Sequence, residues 1–213
     1  LLFLQYTGGT TGLSKGAALS HSNLVANIIQ FKSFLGDTIS DEGEIVITAI
    51  PLYHIFALMV NCLTYVSVGG TIVLITNPRD IDGFIAEMAK WKFTVFTGVN
   101  TLYNGLSLTP AFRDLDFSAL KYCLGGGTAC QEAVSNRWNE ITGQPICQGF
   151  GMSETSPVVS LNPVPTLSFN GTIGIPFPST DVSIRDETGH EMASGEAGEF
   201  CIKGPQVMPG YWR

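Results

Sequence analysis

Leu1-Leu2-Phe3-Leu4-Gln5-Tyr6-Thr7-Gly8-Gly9-Thr10-Thr11-Gly12-Leu13-Ser14-Lys15-Gly16 opens the chain. The apolar run Leu1–Leu4 reads as a buried strand. Within the eleven residues that follow from Tyr6 fall four glycines, three threonines, a serine and a lysine. Glycines let a backbone turn tightly and come close to a ligand. Successive backbone N–H groups in such a loop form a concavity for anions. Threonine hydroxyls add bonds to phosphate oxygens or to a metal ion, and Lys15 adds a mobile positive charge. The loop is either a flexible turn or a grip on a polyphosphate.

The spacing is not that of a Walker A loop, which needs four residues between a glycine and the Gly-Lys pair and then Ser or Thr. Here Lys15 follows Ser14 and precedes Gly16. ATP is nevertheless the simplest polyphosphate for the hydroxyls and the lysine to hold.

Outward from the loop, runs of helical and strand character alternate. Ser20-His21-Ser22-Asn23 offers a helix N-cap, and Leu24, Ile28, Phe31 and Leu35 recur at helical spacing. Strands are expected at 44–50, 71–75, 94–97, 120–124 and 145–148. Helices are expected at 55–68, 80–91, 100–109 and 129–142. This alternation predicts βαβ units and largely parallel sheets flanked by helices. From about Pro157 prolines and glycines become frequent and helical periodicity ends. Val182–Ile184 and Glu199–Ile202 read as short strands joined through the Glu187-Thr188-Gly189 turn. The expected organisation is an α/β core over 1–165 and a small β-rich subdomain over 166–213.

Of 213 residues, 45% are hydrophobic and 14% charged, with a net charge of −7. An acidic chain is ill suited to nucleic acid, where neutralising phosphate supplies most of the affinity. The five cysteines are scattered, odd in number and without a C-x-x-C pair, which argues against a zinc site or a disulfide framework and for a reducing compartment. Residues 45–78 carry no Asp, Glu, Lys or Arg. Pro51, His54, Asn61 and Gly69-Gly70 break that run into strand, loop, helix, turn and strand, so it reads as buried α/β core rather than a membrane span. No positive cluster opens the chain as a signal peptide would, and both ends read as cut from a longer protein.

Three further stretches carry chemistry, each after an expected strand, where open α/β sheets bind ligands. In Gln148-Gly149-Phe150-Gly151-Met152-Ser153-Glu154-Thr155-Ser156, glycines flank an aromatic face that a base could stack on. Ser153 and Thr155 bring hydroxyls. Glu154 is either a surface glutamate in a polar loop or the carboxylate that a hard cation such as Mg²⁺ takes beside substrate phosphates. Gly125-Gly126-Gly127-Thr128 is either a tight strand-to-helix turn or a close approach for a flat ligand. His54, in Pro51-Leu52-Tyr53-His54-Ile55-Phe56-Ala57, is either packed core or a site residue.

Taken in order, these four motifs resemble those of the adenylate-forming, acyl-CoA synthetase superfamily, and within it the bacterial long-chain fatty acid:CoA ligases. Pro-Leu-Tyr-His-Ile-Phe-Ala-Leu at 51–58, Ile-Thr-Asn-Pro-Arg-Asp at 75–80 and Thr-Gly-Val-Asn-Thr-Leu at 97–102 carry the narrower likeness. The resemblance implies a fragment of the large N-terminal domain of such an enzyme. Its reaction would be two-step: fatty acid and MgATP give acyl-adenylate and pyrophosphate, then CoA displaces AMP. It gives the catalytic roles to His54, Thr7 and Glu154, and the metal to Thr7 and Glu154. The phosphates go to Thr7, Gly8, Gly9, Thr10, Thr11, Gly12 and Lys15, and Ser153 goes to the α-phosphate. Gly125, Gly126, Gly127 and Thr128 lie against adenine, with Gly149, Phe150, Gly151 and Met152 beside it. Phe150 stands where many members have tyrosine. The apolar run of 55–68, with Ala57, would line or adjoin an acyl tunnel that Gly98-Val99-Asn100-Thr101 also lines. The Gly198–Trp212 stretch matches the family's Gly-Glu-Leu…Gly-Tyr-Trp segment and reads as structural. The lysine-bearing C-terminal domain and the ribose-binding Asp fall outside these residues. Further implications are a cytoplasmic protein with peripheral contact at the inner face of the cell membrane, and a homodimer. Another carboxylate-adenylating enzyme, for an aryl or amino acid, and a non-catalytic nucleotide-binding module remain the alternatives.

Overall fold

A computed structural model describes residues 1–7 and 14–212. Its centre is a seven-stranded sheet in the order β4-β3-β5-β6-β7-β8-β9. β3 (Ile45–Thr48), β4 (Thr71–Leu74), β5 (Val95–Gly98), β6 (Tyr122–Gly125) and β7 (Ile146–Gly151) run parallel. β8 (Val158–Leu161) and β9 (Ile175–Pro176) close one edge antiparallel. Side chains along a strand alternate between faces, and here both faces are covered. Val46, Val95, Tyr122 and Leu124 face one buried cluster with Leu24, Phe31 and Leu35 of α1 (His21–Leu35). Ile47, Phe96 and Cys123 face the other, with α3 (Ile81–Met88), α4 (Asn100–Leu108) and α5 (Glu132–Thr142). Trp138 anchors this second face: its ring meets those of Phe96, Tyr103 and Phe112 at 4.7–5.1 Å, and its indole N–H donates to Cys123 Sγ at 3.2 Å.

Local chemistry sets the element ends. Ser20 caps α1 in a capping box with Asn23. Asp80 accepts from Gly83 N and starts α3. Residues 129–131, expected in α5, stay outside it: Gln131 is its extended N-cap, and the bonds from Cys130 N to Gln148 Oε1 and from Gln131 N to Asn100 Oδ1 hold this approach in place. α1 also buries a polar face. Asn27 exchanges two bonds with the Val158 backbone, Asn23 donates to Pro205 and Val207 carbonyls, and Gln30 donates to the Pro178 carbonyl.

Several expectations are corrected. The opening apolar run is not a buried strand: β1 (Phe3–Thr7) forms a two-stranded antiparallel ribbon with β2 (Lys15–Leu19), and Leu1 and Leu2 are exposed. The buried helix after His54 has a π-helical stretch, Ala57–Leu63, before α2 (Thr64–Val66). Val158–Leu161 and Ile175–Pro176, in the proline- and glycine-rich part, belong to the main sheet. A separate hairpin, β10 (Asp181–Arg185) with β11 (Glu199–Lys203), follows. Among the described residues no helix is long and apolar enough to cross a membrane.

At the far end of the strands from the glycine loops, Glu44 is fully buried. It accepts from Lys121 Nζ, Thr94 Oγ1 and the Ser40 N–H. Burial alone would raise its pKa, but the bonds from Lys121, Thr94 and Ser40 outweigh it and hold the carboxyl below its ordinary 4.5. A group that binds fewer protons folded than unfolded stabilises above its unfolded pKa, and that stability is lost as pH falls through the folded pKa. Glu44→Gln in the full-length protein should therefore cost about 2 kcal/mol at pH 7, the range for hydrogen bonds to charged groups. Thermal midpoints of the two proteins should converge as the pH drops below 4.5. A gap that stays constant into acid would remove the charge from the explanation.

Candidate functional site

Strands β6 and β7 end in glycine-bearing segments, and the chain before the π-helical stretch turns back over them. Between them lies a cavity of about 240 Å³. His54, Gly125–Gly127 and Gly149–Ser153 line it, so three of the four motifs meet at one place. The rest of the wall is apolar: Phe31 of α1, Ile55, Phe56 and Val60 before and within the π-helical stretch, and Val158 and Leu161 of β8.

The glycines have distinct reasons. A Cβ on Gly126 would stand 3.3 Å from the Phe56 ring, which lies against the loop. Gly127 has φ +77°, a conformation side chains disfavour. Gly151 is packed on backbone: a Cβ there would fall 2.4 Å from the Pro157 carbonyl oxygen. This closeness belongs to the β7–β8 hairpin, whose register shifts between Phe150 and Gly151. The hairpin turns through Ser153–Thr155, held by the Thr155 hydroxyl on the Pro157 carbonyl. Phe150 lies on the cavity wall, and Phe200 of β11 meets it edge-on at 5.4 Å and 73°.

His54 Nδ1 accepts from the Phe56 N–H at 3.2 Å, which leaves the proton on Nε2. Although the residue opens to solvent at the mouth, partial enclosure pushes its pKa below the ordinary 6.5. It is thus a neutral imidazole at neutral pH with one N–H to donate, suited to orienting an oxygen.

Thr7 and Lys15 face each other across the neck of the β1–β2 ribbon. The Ser14 hydroxyl donates to the Thr7 carbonyl at 2.7 Å and the Thr7 hydroxyl to the Lys15 carbonyl at 3.4 Å. Gly8, Gly9, Thr10, Thr11 and Gly12 lie outside the described residues. The ribbon packs against the Ser153–Thr155 turn, which brings the neck to the cavity's edge. Glu154 is half-buried there and accepts from the Tyr211 hydroxyl at 2.6 Å. Among the described residues its Oε2 accepts no hydrogen bond, and no cluster of three His, Cys, Asp or Glu could hold a metal on protein ligands alone.

Some expected residues stand elsewhere. Thr128 is exposed and off the cavity wall. Ala57 is fully buried and off that wall, which Ile55, Phe56 and Val60 of the same run line. Gly98–Thr101 braces the glycine loop instead of lining the cavity: the Gly98 carbonyl accepts from Gly126 N at 3.4 Å, and Asn100 from Gln131 N. The sequence reading missed Phe31, Val158 and Leu161 as lining. Phe31 carried only a core signal, and the prolines beside β8 read as loop. Tyr211 was legible as part of a structural segment, not as a neighbour of Glu154.

The AMP-binding enzyme family matches residues 1–212. A long-chain-fatty-acid–CoA ligase of Salmonella typhimurium is 52% identical over 213 residues, covering 100% of this chain and 38% of the relative. ATP-bound MatB from Rhodopseudomonas palustris is 30% identical with a TM-score of 0.82, covering 98% of this chain and 40% of that one. O-succinylbenzoate Coenzyme A Synthetase from Bacillus subtilis, in complex with ATP and magnesium ion, is 27% identical with a TM-score of 0.82, covering 98% and 42%. This chain thus spans well under half the length of these three relatives, and it belongs to the family of AMP-binding enzymes.

Proposed function

We propose that the full-length protein activates a long-chain fatty acid with ATP and transfers it to CoA. The carrying observation is the single cavity joining His54, Gly125–Gly127 and Gly149–Ser153 to the apolar wall of Phe31, Val60, Val158 and Leu161. The polar rim suits a nucleotide and a carboxylate, and the apolar wall suits an acyl chain. The similarity to fatty acid ligases supports the same reading.

In this reading the carboxylate attacks the α-phosphorus, pyrophosphate leaves, and the CoA thiol then takes the acyl group and releases AMP. Phe150 and Gly125–Gly127 give the base a flat, unhindered bed. Ser153 bonds the α-phosphate, and the His54 Nε2–H holds a carboxylate oxygen. Lys15, Thr7 and the loop at 8–12 hold the outer phosphates. Glu154 fits Mg²⁺, a cation that takes one or two carboxylates beside substrate phosphates; its Oε2 is without a partner among the described residues. When bound, Mg²⁺ would supply charge neutralisation at the polyphosphate. We also assign the chain through β9 to the core, the β10–β11 hairpin that follows to a β-rich part, and the adenylation lysine to a further domain. A cytoplasmic location, peripheral membrane contact and a homodimer belong to the same proposal. A lipid substrate motivates the membrane contact, and cell fractionation and sedimentation would test the set.

Two experiments on the full-length protein bear on the substrate. In pyrophosphate exchange, palmitate should outcompete octanoate, benzoate and amino acids. Preference for benzoate or an amino acid would favour a different adenylating enzyme, and failure to form any thioester would favour a non-catalytic module. Val60→Trp should fill the apolar end of the cavity. Its kcat/KM for long acids should fall about tenfold more than for short ones, in line with what pocket shape alone discriminates. Equal losses across chain lengths would make this wall core only.

A further inference from the structure

The Gly210–Trp212 segment lies along β2 through an isolated antiparallel bridge at Ala17 and Tyr211: Ala18 N donates to the Gly210 carbonyl at 3.1 Å and Trp212 N to the Gly16 carbonyl at 2.8 Å. Just before it, Met208 N donates to the Glu154 carbonyl at 2.8 Å. The segment thus ties the neck of the ribbon to the β7–β8 turn. Tyr211 sits between the two. Its hydroxyl donates to Glu154 Oε1 at 2.6 Å, and Lys15 Nζ lies 5.2 Å from its ring centroid. A hydrogen bond to a carboxylate fixes its aim, and an ammonium over an aromatic face is held there. Lys15 and Glu154 carry opposite charges in this neighbourhood, yet among the described residues they form no ion pair.

We propose that Tyr211 is a positioning residue: it aims Glu154 at the nucleotide's metal and keeps Lys15 from neutralising it. The inference rests on the metal role given to Glu154 above. The hydroxyl occupies Oε1 and leaves Oε2 for the cation. The ring meanwhile holds Lys15 where a phosphate, rather than Glu154, is its anion. Direct pairing of Lys15 with Glu154 would spend both charges on each other.

The test uses full-length protein with α,β-methylene-ATP, reading Mn²⁺ binding by electron paramagnetic resonance and the thermal midpoint alongside. Loss of a residue that orients a metal ligand typically weakens the metal by about tenfold or more. Tyr211→Phe keeps the ring and loses the hydroxyl, so Mn²⁺ binding should weaken about tenfold with little change in thermal midpoint. Tyr211→Leu also frees Lys15 and should weaken it further. Adding Lys15→Met to Tyr211→Leu should recover part of that loss. In a Glu154→Gln background, Tyr211→Phe should add nothing. If Tyr211→Phe leaves Mn²⁺ binding unchanged, or weakens it equally in both backgrounds, while Glu154→Gln itself weakens it, the positioning role is wrong and the role of Glu154 stands. If Glu154→Gln leaves Mn²⁺ binding intact, the metal assignment fails and the inference with it.

Discussion

Replacing Glu154 by glutamine in the full-length protein should slow adenylation by about 10²–10³-fold at limiting Mg²⁺, the loss typical of removing one preorganised electrostatic group. The loss should shrink as Mg²⁺ is raised. The fold should survive, because glutamine is isosteric and can still accept from the Tyr211 hydroxyl. The backbone bond from Met208 N to the Glu154 carbonyl does not involve the side chain. Pyrophosphate exchange across a Mg²⁺ series, with thermal melts alongside, reads both effects. An unchanged rate at limiting Mg²⁺ would remove Glu154 from the metal's surroundings.

Gly151→Ala should be nearly as damaging for a different reason. The added methyl would stand 2.4 Å from the Pro157 carbonyl oxygen and 2.9 Å from its carbonyl carbon. These are backbone atoms of the same hairpin and cannot rotate away. Met152 N and the Thr155 hydroxyl both bond that carbonyl, so opening the hairpin disturbs the turn that carries Ser153 and Glu154. Overpacking of this kind costs about 3 kcal/mol or more. Adenylation should fall with stability. Gly105→Ala in α4 is the control, since the nearest atom to its methyl would be Ile81 Cδ1 at 3.9 Å. Alanine there should be neutral or stabilising by up to about 1 kcal/mol. Equal behaviour of the two variants would mean that the hairpin can open freely.

The parallel strands were legible because β-branched and aromatic runs such as Ile45-Val46-Ile47-Thr48 serve two covered faces. The glycine motifs were legible because backbone approach to a ligand or to another chain segment leaves no room for other residues. β2 was not: Lys15-Gly16-Ala17-Ala18-Leu19 has no strand preference of its own. It is extended because β1 pairs with it on one side and the Tyr211 segment bridges to it on the other. β8 and β9 were hidden by neighbouring prolines, although β9, at the edge of the sheet, is where proline is tolerated. The π-helical stretch has the same apolar composition as an α-helix, so periodicity could not distinguish them. Nothing local marks Asn23, Asn27 and Gln30 as buried, yet backbone from residues 158–207 satisfies them. Contacts made that far along the chain are not encoded in local pattern.

In the proposed reaction a carboxylate held beside His54 attacks the α-phosphorus of a nucleotide lying on Gly125–Gly127 and Phe150. Mass spectrometry of AMP formed by the full-length protein from palmitate labelled with oxygen-18 in both carboxylate positions tests it directly. One carboxylate oxygen should bridge to phosphorus, and CoA attack at the carbonyl should leave it on AMP. AMP should carry one heavy oxygen per thioester formed. Unlabelled AMP, with the label in inorganic phosphate or pyrophosphate, would contradict it.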